Sequence, residues 1–227
     1  MSGRMRWAVA AGAAVAIASL AACGSSSNGV ATKTPAQILA AAVSATSAAT
    51  SYEIAGTGAF VDGVTSLDFK VAGSNLNGSF VVAGSTVDVM EIAGNIYLKA
   101  PSAYYEYEGE SATRSAILEN VWVEATAGSK VANDFSSLSA FFAISSDLSA
   151  ASAVTAGGTG TVDGQPVVIL KTADGTTIDI ATTGPAYPVQ VTTTTGSSPA
   201  TYTLSNWNSV AAFTPPPNPI LIPSSAS

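Results

Sequence analysis

The chain contains no histidine and only one cysteine, Cys23, in 227 residues. Without histidine there is no Ser-His-Asp or Cys-His catalysis, and the commonest metal ligand is missing. With one cysteine no disulfide forms within a monomer. Charge is sparse too: charged residues make up 10% of the chain, eight basic against fifteen acidic. Arg4 and Arg6 lie in the first 22 residues, so the remainder keeps six cations against fifteen acids, a formal charge of −9. Such a surface has no footprint for a phosphate backbone and is repelled by anionic headgroups, which argues against nucleic acid as a partner. Although 47% of the residues are hydrophobic, no segment beyond the N-terminus has the uninterrupted apolar length of a bilayer span. No metal site and no cofactor are expected.

What is present begins at the N-terminus. Arg4 and Arg6 precede an apolar run from Trp7 to Leu20, which ends in Leu20-Ala21-Ala22-Cys23. A short positive region, an apolar stretch too short to span a bilayer and small residues before a cut are the marks of an export signal. Residues 1–22 therefore read as a signal peptide with a lipobox, and Cys23 as the first residue of the mature protein. The alternative is an ordinary exported protein, or an N-terminal membrane helix, in which Cys23 lies near the cut by chance. Resemblance to bacterial lipoproteins implies a diacylglyceryl group on the Cys23 sulfur and a further acyl chain, such as palmitate, on its amine. Several chains anchor stably where one does so marginally, so the acyl anchor holds the chain on the extracytoplasmic face of the cell membrane. Residues 23–34, opening Cys23-Gly24-Ser25-Ser26-Ser27-Asn28-Gly29, read as the acylated cysteine and a flexible linker with a reach of roughly 15–20 Å.

About 190 residues remain, enough for one domain with a sizeable core. Thr34-Pro35-Ala36-Gln37 is a helix start with a capping box, and Ile38, Leu39, Ala42, Val43 and Ala49 recur at helical spacing, predicting a helix over about 35–49. From Tyr52 the period changes to two. Apolar positions alternate through Tyr52–Phe60, Leu67–Val71, Leu76–Val82, Val87–Val89 and Ile96–Leu98, separated by Asp62-Gly63, Gly73-Ser74, Gly84-Ser85 and Gly94-Asn95. This is the pattern of an antiparallel meander with one apolar face. Pro101–Glu119, with Tyr104, Tyr105 and Tyr107, predicts one or two short helices, and Val121-Trp122-Val123 a brief strand. A second helix is expected after Asp134, its cap, with Leu138, Phe141, Phe142 and Leu148 near one face. Period two then returns in five runs between Val154 and Leu204, with Asp163-Gly164 and Asp174-Gly175 as hairpin turns. The order predicts an α+β domain over 35–214, a single curved antiparallel sheet wrapped around a few central helices, with a Pro/Ser-rich extended tail over 215–227.

Four short segments resemble the actinobacterial cell-envelope lipoproteins of the LppX/LprG type, and more distantly the LolA/LolB carriers. Tyr52–Gly58 is similar to that family's first strand, Asn95–Pro101 to the strand entering its helical insertion, Val121–Glu124 to the Trp-containing strand after it, and Thr203–Trp207 before Pro215-Pro216 to its closing segment. The resemblance implies a half-barrel with a hydrophobic cavity between sheet and helices, holding the acyl chains of a lipid or glycolipid. On this sequence the lining would come from Leu67, Phe69, Val71, Phe80, Val82, Ile96 and Leu98 of the sheet and from Leu138, Phe141 and Phe142 of the helix. The same side chains read equally as a dry, close-packed core. Gly56, Gly58, Gly73 and Gly78 tilt the balance toward a cavity by removing volume and permitting bends.

Three function classes follow. The first is a non-enzymatic lipoprotein that binds or transfers a lipid or other amphiphile in the envelope. The second is a structural or interaction lipoprotein with a packed core, serving an envelope protein partner. The third is a carboxylate-dependent glycosidase, which requires two carboxyl groups about 5–10 Å apart across a cleft.

Overall fold

The computed structural model describes residues 26–60, 63–125, 132, 135, 142, 144–151, 153–194 and 199–222. The expectations for residues 1–22, Cys23, Asp62, Asp134, Leu138 and Phe141 lie outside them.

Helix α1 spans Pro35–Ala48 and starts where the sequence places it: Thr34 Oγ1 accepts from Gln37 N (3.4 Å) while Gln37 Oε1 accepts from Thr34 N (3.1 Å). Five strands follow, β1 Ser51–Gly58, β2 Val64–Ala72, β3 Asn75–Val82, β4 Ser85–Ile92 and β5 Asn95–Lys99. The tight β3–β4 and β4–β5 connections place both central residues at positive φ, Ala83 and Gly84, then Ala93 and Gly94. That geometry matches the right-handed twist of the flanking strands. The insertion forms two short helices, α2 Ser102–Tyr107 and α3 Ala112–Leu118, before β6 Val123–Ala125. Helix α4 covers Ile144–Ala150, and β7 Thr155–Val162, β8 Gln165–Lys171, β9 Thr177–Ala181, β10 Pro188–Thr193 and β11 Ala200–Ser205 complete the runs.

With β12 Ile220–Ile222 from the tail, the described strands make one sheet ordered β12-β6-β5-β4-β3-β2-β1-β11-β10-β9-β8-β7. It is the expected curved, unclosed antiparallel sheet with a few helices against its inner face. Pairing of β1 with both β2 and β11 joins the N- and C-terminal meanders, with Ile54 opposite Phe69 on one side and Leu204 on the other. One edge is β7, bulged between Ala156 and Gly158. A bulge at an edge discourages pairing with a foreign strand.

Both ends of the domain differ from expectation. The linker is docked from Ser27 onward: Asn28 N donates to Thr182 O (2.8 Å), its side-chain amide donates to Ala181 O (3.0 Å) and Gly184 O (2.9 Å), and Val30 is buried. The asparagine satisfies carbonyls of the β9–β10 turn, and the composition of a flexible linker conceals that. The Pro-rich tail ends in a further strand, β12 Ile220–Ile222, parallel to β6, with Ile220 N donating to Trp122 O (2.9 Å). On the way Phe213 covers Met90, Ile92, Tyr97 and Trp122 on the outer face of β4–β6.

Two larger cores fill the inner face. The first joins β1–β6 to α2, α3 and Phe142, and includes Phe69, Leu76, Val87, Val89, Leu98 and Val123. The second packs α1, through Ile38 and Ala42, and Leu148 of α4 on Val168, Leu170, Ile178 and Ile180 of β8 and β9.

Candidate functional site

The two cores meet imperfectly, and the gap is a half-open cleft of about 600 Å³. Ile54 of β1, Leu204 of β11 and Phe142 form its floor on the side of the first core, and Leu148 and Ile178 on the side of the second; all five are buried. Ile144 and Val191 touch both cores and close the seam between them. The volume lies within the range of small-molecule pockets, about 300–1,000 Å³. A second groove, of about 590 Å³, runs between α1 and α4 along Leu39, Val43 and Val154. Leu148 and Ala151 border both spaces, so α4 is the wall between them.

Polar groups sit at the rim. Asp147, on an exposed position of α4, faces Tyr202 of β11 and Tyr52 of β1; loss of water around its carboxyl raises it above the usual carboxylate range. Burial raises both tyrosines too, and the Asp147 charge raises them further. The Tyr52 hydroxyl donates to the carbonyl of Phe142 and so fixes the segment leading into α4. Across the mouth stands the β8–β9 turn. There Asp174 accepts from the Thr172 hydroxyl and from Thr176 N (3.2 Å), and these bonds hold its carboxyl below the usual range. No lysine or arginine lines the cleft among the described residues. Chemically the arrangement is an aliphatic floor with an acidic, hydroxyl-bearing mouth.

No family model and no curated protein matches the sequence. Solved structures do. LprF from Mycobacterium bovis superposes with a TM-score of 0.58 at 15% identity, covering 82% of this chain and 97% of LprF. The lipoprotein LppX from Mycobacterium tuberculosis gives 0.55 at 22% identity, covering 78% of this chain and 98% of LppX. The fold is that of LppX and LprF.

Within this LppX-type fold the expected lining residues take other places. Leu67, Phe69, Val71, Val82, Ile96 and Leu98 are buried together in the first core, with Phe80 packed against them. Of the eight described residues expected to line a cavity, Phe142 is the one that borders the cleft. The glycines explain the shift. A Cβ on Gly78 would lie 2.1 Å from Asp68 O and 2.6 Å from the Phe69 ring, and one on Gly56 3.0 Å from the Tyr202 ring. Neighbouring aromatics occupy the volume that the glycines release, and Phe69 continues to Phe142 with ring centroids 4.9 Å apart. The tyrosine cluster of the insertion divides: Tyr104 and Tyr105 are core residues, while Tyr107 is 57% exposed. Trp122 belongs to the outer cluster under Phe213, and Trp207 stacks on Tyr187 at 4.4 Å beside the first core.

The cleft residues that sequence reading misses, Ile178, Val191 and Leu204, lie in alternating strands like those of the first meander. Nothing local marks them, because the cleft depends on where two cores fail to meet.

Proposed function

We propose that the chain is a non-enzymatic lipoprotein, anchored through acylated Cys23 on the extracytoplasmic face of an actinobacterial cell membrane, that binds or transfers a lipid or other amphiphile in its cleft. The observation that carries this reading is the aliphatic, half-open space of about 600 Å³ between β1, β9–β11 and α4. Burying apolar area there is worth about 25 cal/mol per Å², so an acyl chain or glycolipid tail is the natural occupant. The LppX-type fold supports the reading by placing the cleft on the inner face of a curved sheet.

A packed-core interaction protein, docking on an envelope partner, accounts for the first core but gives the cleft no role. Two carboxyls, those of Asp147 and Asp174, stand at the rim. A glycoside, however, needs hydrogen-bonding groups along its rings, and this floor is aliphatic.

The test is saturable uptake of a neutral pyrene-labelled acyl probe by the mature chain carrying Cys23→Ser. Ala150 on the exposed rim and Val191 within the cleft are the positions to fill. Ala150→Trp and Val191→Trp are expected to weaken uptake about tenfold or more, with Tm little changed for the exposed Ala150 and lowered for Val191, which packs on both cores. Folded tryptophan variants that take up the probe like wild type would overturn the assignment of the cleft.

A further inference from the structure

We infer that Phe142 is the stop that sets how long a tail the cleft accepts. The inference rests on the amphiphile-binding reading above and adds the residue that selects among amphiphiles.

The cleft has a direction. On the helix side Phe142, Ile144, Leu148 and Ala150 border it, so it runs along α4. On the sheet side it crosses strands, from the β8–β9 turn over Ile178 of β9 and Val191 of β10 to Leu204 of β11 and Ile54 of β1. Strands β9 and β1 are three steps apart in the sheet, about 14 Å at the usual strand spacing. The polar mouth is at the turn, so a tail entering there points at β1. Inward side chains of neighbouring strands form rows across a sheet, and the row of Leu204 and Ile54 continues to Phe69 of β2. There the groove ends. The Phe69 ring meets the Phe142 ring with centroids 4.9 Å apart, and both residues are buried. The next row, through Ile178, Val191 and Tyr202, reaches Gly56 of β1, where the rings of Tyr202 and Phe60, 5.3 Å apart, take up the space. A tail lying along Ile54 therefore meets the Phe142 ring.

Phe142 is held in this position from the sheet. The Tyr52 hydroxyl donates to its carbonyl, and Tyr52 packs on Trp207 with ring centroids 5.0 Å apart. Phe69 behind it is wedged over Gly78, where a Cβ would lie 2.6 Å from the ring. Trimming Phe142 thus leaves Phe69 in place and opens the room of a phenyl ring, more than two methylenes need, at the end of the groove.

The experiment is calorimetric titration of the mature Cys23→Ser chain with octyl, decyl, dodecyl and tetradecyl maltoside, one uncharged head on tails of rising length, below micelle formation. Each buried methylene tightens binding by about fourfold. In the parent chain the gain is expected to stop at the tail whose end reaches Phe142, and longer tails bind no tighter. In Phe142→Ala the next tail, two methylenes longer, is expected to bind about fifteenfold tighter than the one before it. Phe142→Leu is expected to move the break in the same direction by less, and it decides the matter if the alanine variant fails to fold. A merely structural role for Phe142 weakens every tail alike and leaves the break where it is. A break at the same tail length in the folded variants, or parent affinity that climbs through tetradecyl maltoside, would overturn the assignment of the stop while leaving amphiphile binding in place. No binding of any maltoside, with pyrene-probe uptake absent too, would overturn the amphiphile reading itself.

Discussion

Gly78 shows how a missing side chain shapes this core. Its Cα faces Phe69 across the β2–β3 pair so closely that a Cβ would meet both backbone and ring of that strand. Gly78→Ala must therefore push β2 and β3 apart or turn the Phe69 ring away from Phe142. Overpacking of this kind costs about 1–3 kcal/mol. Urea unfolding is the measurement, and an unchanged midpoint would show that the strands yield freely. Asp179 is a second pressure point. It is buried on β9, its Oδ1 has no hydrogen-bond partner, and loss of solvent raises its carboxyl above the ordinary 3.8. A raised folded-state value means that above pH 3.8 the native state holds more protons than the unfolded one, so this group contributes less stability as pH climbs through the interval up to its folded value. Asp179→Asn removes that dependence. Its stability relative to wild type should improve as pH rises above 3.8. A difference independent of pH in paired melts would contradict the assignment.

Among the elements, the tail strand β12 has the least local support and the clearest structural role. It pairs in parallel with the three-residue β6, and Phe213 upstream seals Met90, Ile92 and Tyr97. Deleting residues 218–227 removes that pairing while leaving Phe213 in place. The loss should be on the order of 1 kcal/mol, with faster amide exchange over Val123–Ala125. Unchanged exchange there would mean that β12 contributes nothing to the edge. Sequence reading describes this tail only as extended, because Ile220-Leu221-Ile222 is too short for a periodicity and follows five residues rich in proline. By contrast α1 was legible to within a residue of its end, since its capping box is a local hydrogen-bond exchange between Thr34 and Gln37. The strands of both meanders were legible for the same reason: alternation and turn chemistry act over a few residues. The lining of the cleft was not. Leu67, Phe69 and Leu98 carry the same alternation as Ile178 and Leu204, and only long-range packing, with aromatics filling the space over Gly56 and Gly78, decides which set closes up.

The whole molecule is two packed meanders sharing one sheet, with the cleft at their seam and α4 as its wall, anchored through Leu148. With Cys23 acylated as proposed, docking of Asn28 onto the β9–β10 turn leaves residues 24–26 as tether, a reach of about 10 Å. That turn would sit near the bilayer, and the acidic β8–β9 turn lies at the other end of β9, five residues or about 17 Å away. No described helix is long and apolar enough to cross a membrane. The central claim is that the cleft holds an amphiphile, and native mass spectrometry of the mature Cys23→Ser chain tests it most directly, after detergent-free purification from an actinobacterial host. The expected result is a discrete added mass that organic extraction removes and that Val191→Trp prevents. A bare polypeptide mass, with no uptake of offered amphiphile, would contradict it.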